Sequence, residues 1–120
     1  MKTLLICVLS VILLNIACGK IEPAEMQIQP ASLNFGESET ELKISIVNIG
    51  DERLDWYVYS DSAFYFTQPW LTASPLSGIN DGKITVTVDR DSLSHGSHRG
   101  ELMVKSNGGE KEIEVILYQI

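Results

Sequence analysis

Ile84-Thr85-Val86-Thr87-Val88 is the stretch that decides the fold of this chain. Apolar β-branched residues alternate there with threonines, a period of two that an extended strand converts into one buried and one exposed face. The same alternation recurs on both sides. Upstream, Leu42, Ile44 and Ile46 alternate with Lys43, Ser45 and Val47, and Leu54, Trp56 and Val58 share one face of the next strand. Downstream, Leu102 and Val104 mark one strand, and Ile113, Val115 and Leu117 mark another. Ile28 with Leu33 and Phe35 makes a first strand broken at Pro30, as an edge strand tolerates, and Trp70-Leu71 begins a short strand closed by Pro75. Turn signals punctuate the series: Gly36, Asn48-Ile49-Gly50-Asp51 and Asn107-Gly108-Gly109. In the last, Asn and Gly accept the positive φ that a tight hairpin requires.

About seven short antiparallel strands with turns roughly every 8 to 12 residues predict an all-β, immunoglobulin-like sandwich, with an up-and-down barrel as the other arrangement. Its core is expected from Leu54, Trp56, Ile44, Ile46, Val86, Val88, Val104 and Val115, with Trp70 also inward. The chain has two cysteines, Cys7 and Cys18. The packing of two apolar faces must therefore hold the domain without a disulfide.

Ahead of the strands lies a processed segment. Lys2 is a positive start, Leu4 to Leu14 is apolar apart from Ser10, and Ile16-Ala17-Cys18 places a small residue before a cysteine. This resembles the lipobox of a bacterial lipoprotein signal, with Asn15 standing where that motif has Leu. The apolar run is shorter than the roughly 20 residues of a spanning helix. Residues 1–17 are thus read as the signal peptide, residues 18–27 as the lipidated cysteine and tether, and residues 28–120 as the domain. Cys18 is the expected lipidation site, carrying a thioether-linked diacylglycerol and an N-acyl chain such as palmitate. The expected location is the cell envelope, lipid-anchored at the outer membrane, with membrane lipid as the first partner.

The chain of 120 residues carries a formal charge of −7, which becomes −8 when Lys2 leaves with the leader. An acidic surface has no electrostatic route to phosphate backbones, so nucleic acid is excluded as a partner. Catalysis also lacks its residues: no Gly-x-Ser-x-Gly elbow, phosphate-binding glycine loop or metal-ligand cluster is present. His95 and His98 lack the further ligands of a metal site and read as a solvated loop. Asp89 and Asp91 flank Arg90 at a strand end and read as turn-capping acids rather than a glycosidase pair. The expectation is a non-enzyme without metal or cofactor.

Pro69-Trp70-Leu71-Thr72-Ala73-Ser74-Pro75, Ser77-Gly78, the Ile84–Val88 strand followed by Asp89-Arg90, Gly96-Ser97-His98-Arg99-Gly100 and Ser106-Asn107-Gly108-Gly109 occur in an order that resembles the BACON domain. The resemblance covers about Gln27 to Ile120. It implies an immunoglobulin-like sandwich and, for some members, binding of carbohydrate or mucin glycans without catalysis.

A sugar platform needs flat aromatic faces with polar groups beside them. Trp56, Tyr57, Tyr59, Phe64, Tyr65, Phe66 and Trp70 lie close together in sequence. With Trp56 inward, Tyr57 and Tyr59 point to the other face of the sheet. Tyr57, Tyr59, Tyr65 and Gln68 are the candidate carbohydrate-binding residues, with Asp55 or Asp61 at the rim. The competing reading is cross-strand aromatic pairing that stiffens an exposed face. Two functions therefore stand: a membrane-anchored surface lipoprotein that binds glycan or mucin, and a structural or interaction module that holds an envelope protein partner.

Overall fold

The computed structural model describes residues 20–59 and 69–120. The leader, Cys18, Asp61, Tyr65 and Gln68 lie outside the described residues. The described residues form strands β1 (Met26–Gln29), β2 (Ser32–Asn34), β3 (Glu41–Asn48), β4 (Asp55–Tyr59), β5 (Leu71–Ser74), β6 (Ser77–Ile79), β7 (Gly82–Val88), β8 (Gly96–Ser106) and β9 (Gly109–Gln119). They build two sheets, β1-β3-β7-β5 and β2-β9-β8-β4-β6. All pairings are antiparallel except that of β2 with β9. This is an all-β sandwich, as the alternation predicts.

Nine strands appear where about seven are expected, and both additions arise at prolines. The broken first strand is two strands: β1 pairs with β3, and after Pro30 the chain crosses to lie as β2 beside β9. The chain crosses again at Pro75, between β5 and β6. Ser77-Gly78, one of the motifs that carry the BACON resemblance, is part of β6 and pairs with β4. A proline cannot donate to a ladder, so each crossing falls where one pairing has to end.

Between the sheets lies one apolar cluster that includes Ile44, Ile46, Leu54, Trp56, Val86, Val88, Val104 and Val115, together with Phe35, Trp70 and Ile84. Trp56 is 3% exposed, and its Nε1–H donates to the Asn80 carbonyl at 2.9 Å. The indole fits because Gly78 and Gly82 lie against it: a Cβ at Gly78 would stand 2.2 Å from the ring.

Polar side chains fasten the ends of the sandwich. At one end Asn107 Oδ1 accepts from the Asp55 amide and its Nδ2 donates to the Arg53 carbonyl, tying the β8–β9 turn to the start of β4. The positive φ in that turn belongs to Gly109, at 121°, rather than to Asn107. Asn107 is therefore a side-chain clamp, not the left-handed residue the sequence pattern suggests. At the same end the chain makes folded contacts ahead of β1. Glu22 N donates to Asp51 Oδ2, Glu22 O accepts from the Asp51 and Glu52 amides, and Ala24 is buried, so folded contacts begin near residue 22.

The other end is held by Arg90. Its guanidinium donates to the carbonyls of Phe35, Gly36, Glu39 and Tyr118 and to Gln119 Oε1, at 2.9 to 3.3 Å. A planar fork of donors suits this convergence of backbone oxygens from two segments. Beside it, Asp89 Oδ1 accepts from the Asp91 amide at 3.0 Å, the turn-capping contact expected of an acid at a strand end.

Candidate functional site

Strand β4 alternates without a break, which buries Trp56 and Val58 and turns Asp55, Tyr57 and Tyr59 outward. Its neighbours fix what surrounds them. Tyr57 stands opposite Lys105 of β8 and Ser77 of β6, Tyr59 stands opposite Met103, and Asp55 stands opposite Ile79. The two tyrosine rings lie 6.0 Å apart, centroid to centroid, inclined at 32°. Lys105 Nζ sits 4.6 Å above the centroid of Tyr59, within cation–π range. The Lys105 ammonium has its pKa raised, first by hydrogen bonding with the Tyr59 side chain, against a smaller opposing effect of desolvation.

Lys105 covers one face of Tyr59, and Tyr57 is left 50% exposed. Beside Tyr57 a shallow groove of about 390 Å³ runs between β4 and β6, lined by Asp55, Trp56, Tyr57, Ser77, Gly78 and Ile79. Ile79 is 53% exposed. An aromatic ring and a branched aliphatic chain thus flank a strip carrying a carboxylate and a hydroxyl. Asp55 is paired with Arg53 at 2.9 Å, both well exposed, a contact that orients the carboxylate but contributes little stability.

The structure brings together Tyr57 and Tyr59 of the predicted set; Tyr65 and Gln68 fall outside the described residues. The sequence reading missed Lys105 and Ile79. Lys105 was legible, because it lies one residue beyond the inward Val104, whereas Ile79 belongs to the strand hidden in a turn signal. Trp70 is buried as expected, edge-on to His98 at 6.2 Å. The two histidines make separate contacts: His98 Nε2 meets the Ser94 carbonyl at 2.8 Å, and His95 packs edge-on against Tyr118. Among the described residues no group of three or more His, Cys, Asp and Glu side chains is arranged to hold a metal.

The two packed sheets define an immunoglobulin-like sandwich. The chain belongs to the BACON family: the model of the viral BACON domain matches residues 25–119. No curated protein matches the chain. Among solved structures it is similar to the Bacteroides ovatus GH5 xyloglucanase in complex with a XXXG heptasaccharide, at 14% identity and a TM-score of 0.63, over 80% of this chain and 19% of that one. It is also similar to the CsuC–CsuE chaperone–adhesion subunit complex of Acinetobacter baumannii, at 15% identity and a TM-score of 0.67, over 80% of this chain and 52% of that one. PapD-like domain 7 of human CEP192 is similar at 16% identity and a TM-score of 0.65, over 94% of this chain and 96% of that domain. The chain thus spans about a fifth of the xyloglucanase and about half of the chaperone-complex chain. At these identities the likeness is one of fold.

Proposed function

We propose that this protein is a lipid-anchored module of the bacterial cell envelope whose sandwich binds neutral or mucin-type glycan without acting on it. The observation that carries the glycan reading is the outward pair Tyr57 and Tyr59 beside an open groove. The apolar face of a pyranose stacks on an exposed ring, while Lys105, Asp55 and Ser77 are placed to meet its hydroxyls. The similar fold within a xyloglucanase solved with a heptasaccharide is in keeping with this reading. Cys18 is proposed to carry the lipid and hold the module at the outer membrane.

A shallow face that stays wet at its edges binds weakly, with a Kd of about 10 μM to 1 mM. Titrating the intact protein, labelled in its aromatic rings, with mucin glycans and plant polysaccharide fragments tests the reading by NMR. Binding should shift Tyr57 and Tyr59, and the double substitution Tyr57→Ala, Tyr59→Ala should abolish it with the fold intact. Silence of every aromatic signal at millimolar glycan would leave the interaction-module reading in its place.

A further inference from the structure

The outer face of the five-stranded sheet carries a second groove at its far end. It measures about 520 Å³ and lies over β2, β9 and β8. Its centre is Tyr118, 38% exposed, with Ile116 two residues before it and equally exposed on the same face. The groove has a simple cause. The amide of Tyr118 bonds to the carbonyl of Gly36, and Ser97 is its partner on β8, so the ring stands between a residue without a side chain and one with a short side chain. The row below reads Asn34, Ile116, Arg99 across the three strands. His95 packs edge-on against the Tyr118 ring with centroids 5.7 Å apart and its Nε2 3.4 Å from the tyrosine hydroxyl, which fixes the ring.

The polar groups of this groove select among ligands. Asn34 Oδ1 accepts from the Gly36 amide, which leaves its amide NH₂ as a donor, and Ser97 adds a hydroxyl. Arg99 is held by two carboxylates, Glu114 at its Nε and Glu101 at 3.1 Å from its Nη2. These interactions raise its pKa, with the Glu114 hydrogen bond first. The charges about the groove balance: the guanidiniums of Arg99 and of Arg90, the latter on the carbonyls of Gly36 and Tyr118, stand against the carboxylates of Glu101 and Glu114. A uronate, sialate or sulfated sugar therefore gains no net attraction, whereas the neutral hydroxyls of an uncharged pyranose find donors and acceptors side by side beneath an aromatic face.

Tyr59 stands opposite Met103, which stands opposite Glu112, and Tyr118 lies six positions further along β9. With a rise of about 3.3 Å per residue and about 4.8 Å between strands, Tyr118 stands roughly 22 Å from Tyr59 and, because Tyr57 lies opposite Lys105 and Glu110, roughly 28 Å from Tyr57 on one face, about the length of four to six pyranose units. We infer that the Tyr118 groove is a second, neutral-sugar subsite, and that one extended polysaccharide chain spans both. This inference rests on the glycan reading of Tyr57 and Tyr59 and extends it to chain length and charge.

The test uses the intact protein, aromatic-labelled, with neutral glucan, xylan and mannan hexasaccharides, the matching disaccharides, and a uronic acid hexasaccharide. A neutral hexasaccharide should shift Tyr118 together with Tyr57 and Tyr59 and bind at least tenfold more tightly than its disaccharide. Ser97→Trp, which fills the groove from an exposed position, should reduce hexasaccharide affinity to that of the disaccharide while leaving disaccharide binding at Tyr57 unchanged. Ile116→Ser serves the same purpose should the tryptophan variant not give a folded amide spectrum. Shifts confined to Tyr57 and Tyr59, with no length dependence, would overturn this inference and leave the first site standing. Uronic acid binding tighter than neutral binding would overturn the charge argument and with it the proposed ligand class. No shift with any of the sugars would overturn both sites.

Discussion

Replacing Arg90 with alanine tests whether one cation holds the end of the sandwich. The guanidinium reaches four backbone carbonyls, of which those of Phe35 and Gly36 are partly buried and those of Glu39 and Tyr118 are exposed. Water replaces the lost donor at the exposed oxygens at little cost. At the two partly buried ones it does so poorly, but each keeps a backbone donor, the Glu39 amide on Phe35 and the Tyr118 amide on Gly36, so what is lost there is a second hydrogen bond, worth about 0.5 to 1.5 kcal/mol. Over the two oxygens, Arg90→Ala should destabilise the domain by about 1 to 3 kcal/mol. Arg90→Lys separates charge from geometry: it keeps the positive charge but replaces a planar fork by a single ammonium, so it should recover no more than about half of the loss. Urea unfolding followed by tryptophan fluorescence reads both variants, with an unchanged m-value showing that only stability moved. No carboxylate takes part in the five contacts, so the difference should persist in high salt, unlike that of a surface ion pair. Arg90→Ala within about 0.5 kcal/mol of wild type, or Arg90→Lys as stable as wild type, would refute the reasoning, since surface changes of no structural consequence fall in that range.

Trp56→Ala should cost about 3 to 5 kcal/mol, the usual loss for deleting a buried large aromatic, and a thermal melt within a degree or two of wild type would show that Trp56 is not core. Gly78→Ala should destabilise by about 1 to 3 kcal/mol because its Cβ meets the Trp56 ring; pairing it with Trp56→Phe in a double-mutant cycle should return part of the loss, and strict additivity would sink the contact. Cys18→Ala should release the protein from membranes on cell fractionation and alter its processing, and unchanged detergent dependence would remove the lipid anchor from the account.

Strand alternation made most of this fold legible because it depends only on which residues face the core. Ile84, Val86 and Val88 are buried where their period places them, and Trp56 and Tyr57 fall on opposite faces as their parity requires. What the sequence concealed lies where chain direction changes. Ser77-Gly78-Ile79 is too short and too rich in turn residues to show a period, yet β4 offers it a partner, and tertiary pairing overrides local preference. Arg90 looked like a residue between two acids, because its partners are backbone carbonyls that no side-chain pattern reveals. The Tyr57 face was found by parity alone. The Tyr118 groove was not, since it is made by the shortness of its neighbours, Gly36 and Ser97, across strands far apart in sequence.

The docking of Glu22 and Ala24 against the Asn48–Glu52 turn and the Asn107–Gly108 hairpin tip has a mechanical consequence. If Cys18 carries the lipid, as proposed, only three residues of sequence, Gly19, Lys20 and Ile21, separate it from the first folded contact at Glu22. So short an arm would restrict how far the domain can swing and would set the ends of β8 and β9 nearest the hairpin tip toward the bilayer. Tyr118 and Gly96 then lie at the end furthest out. A polymer caught there would pull along the strands, loading the long β8–β9 ladder in shear across many hydrogen bonds at once rather than peeling them apart one by one.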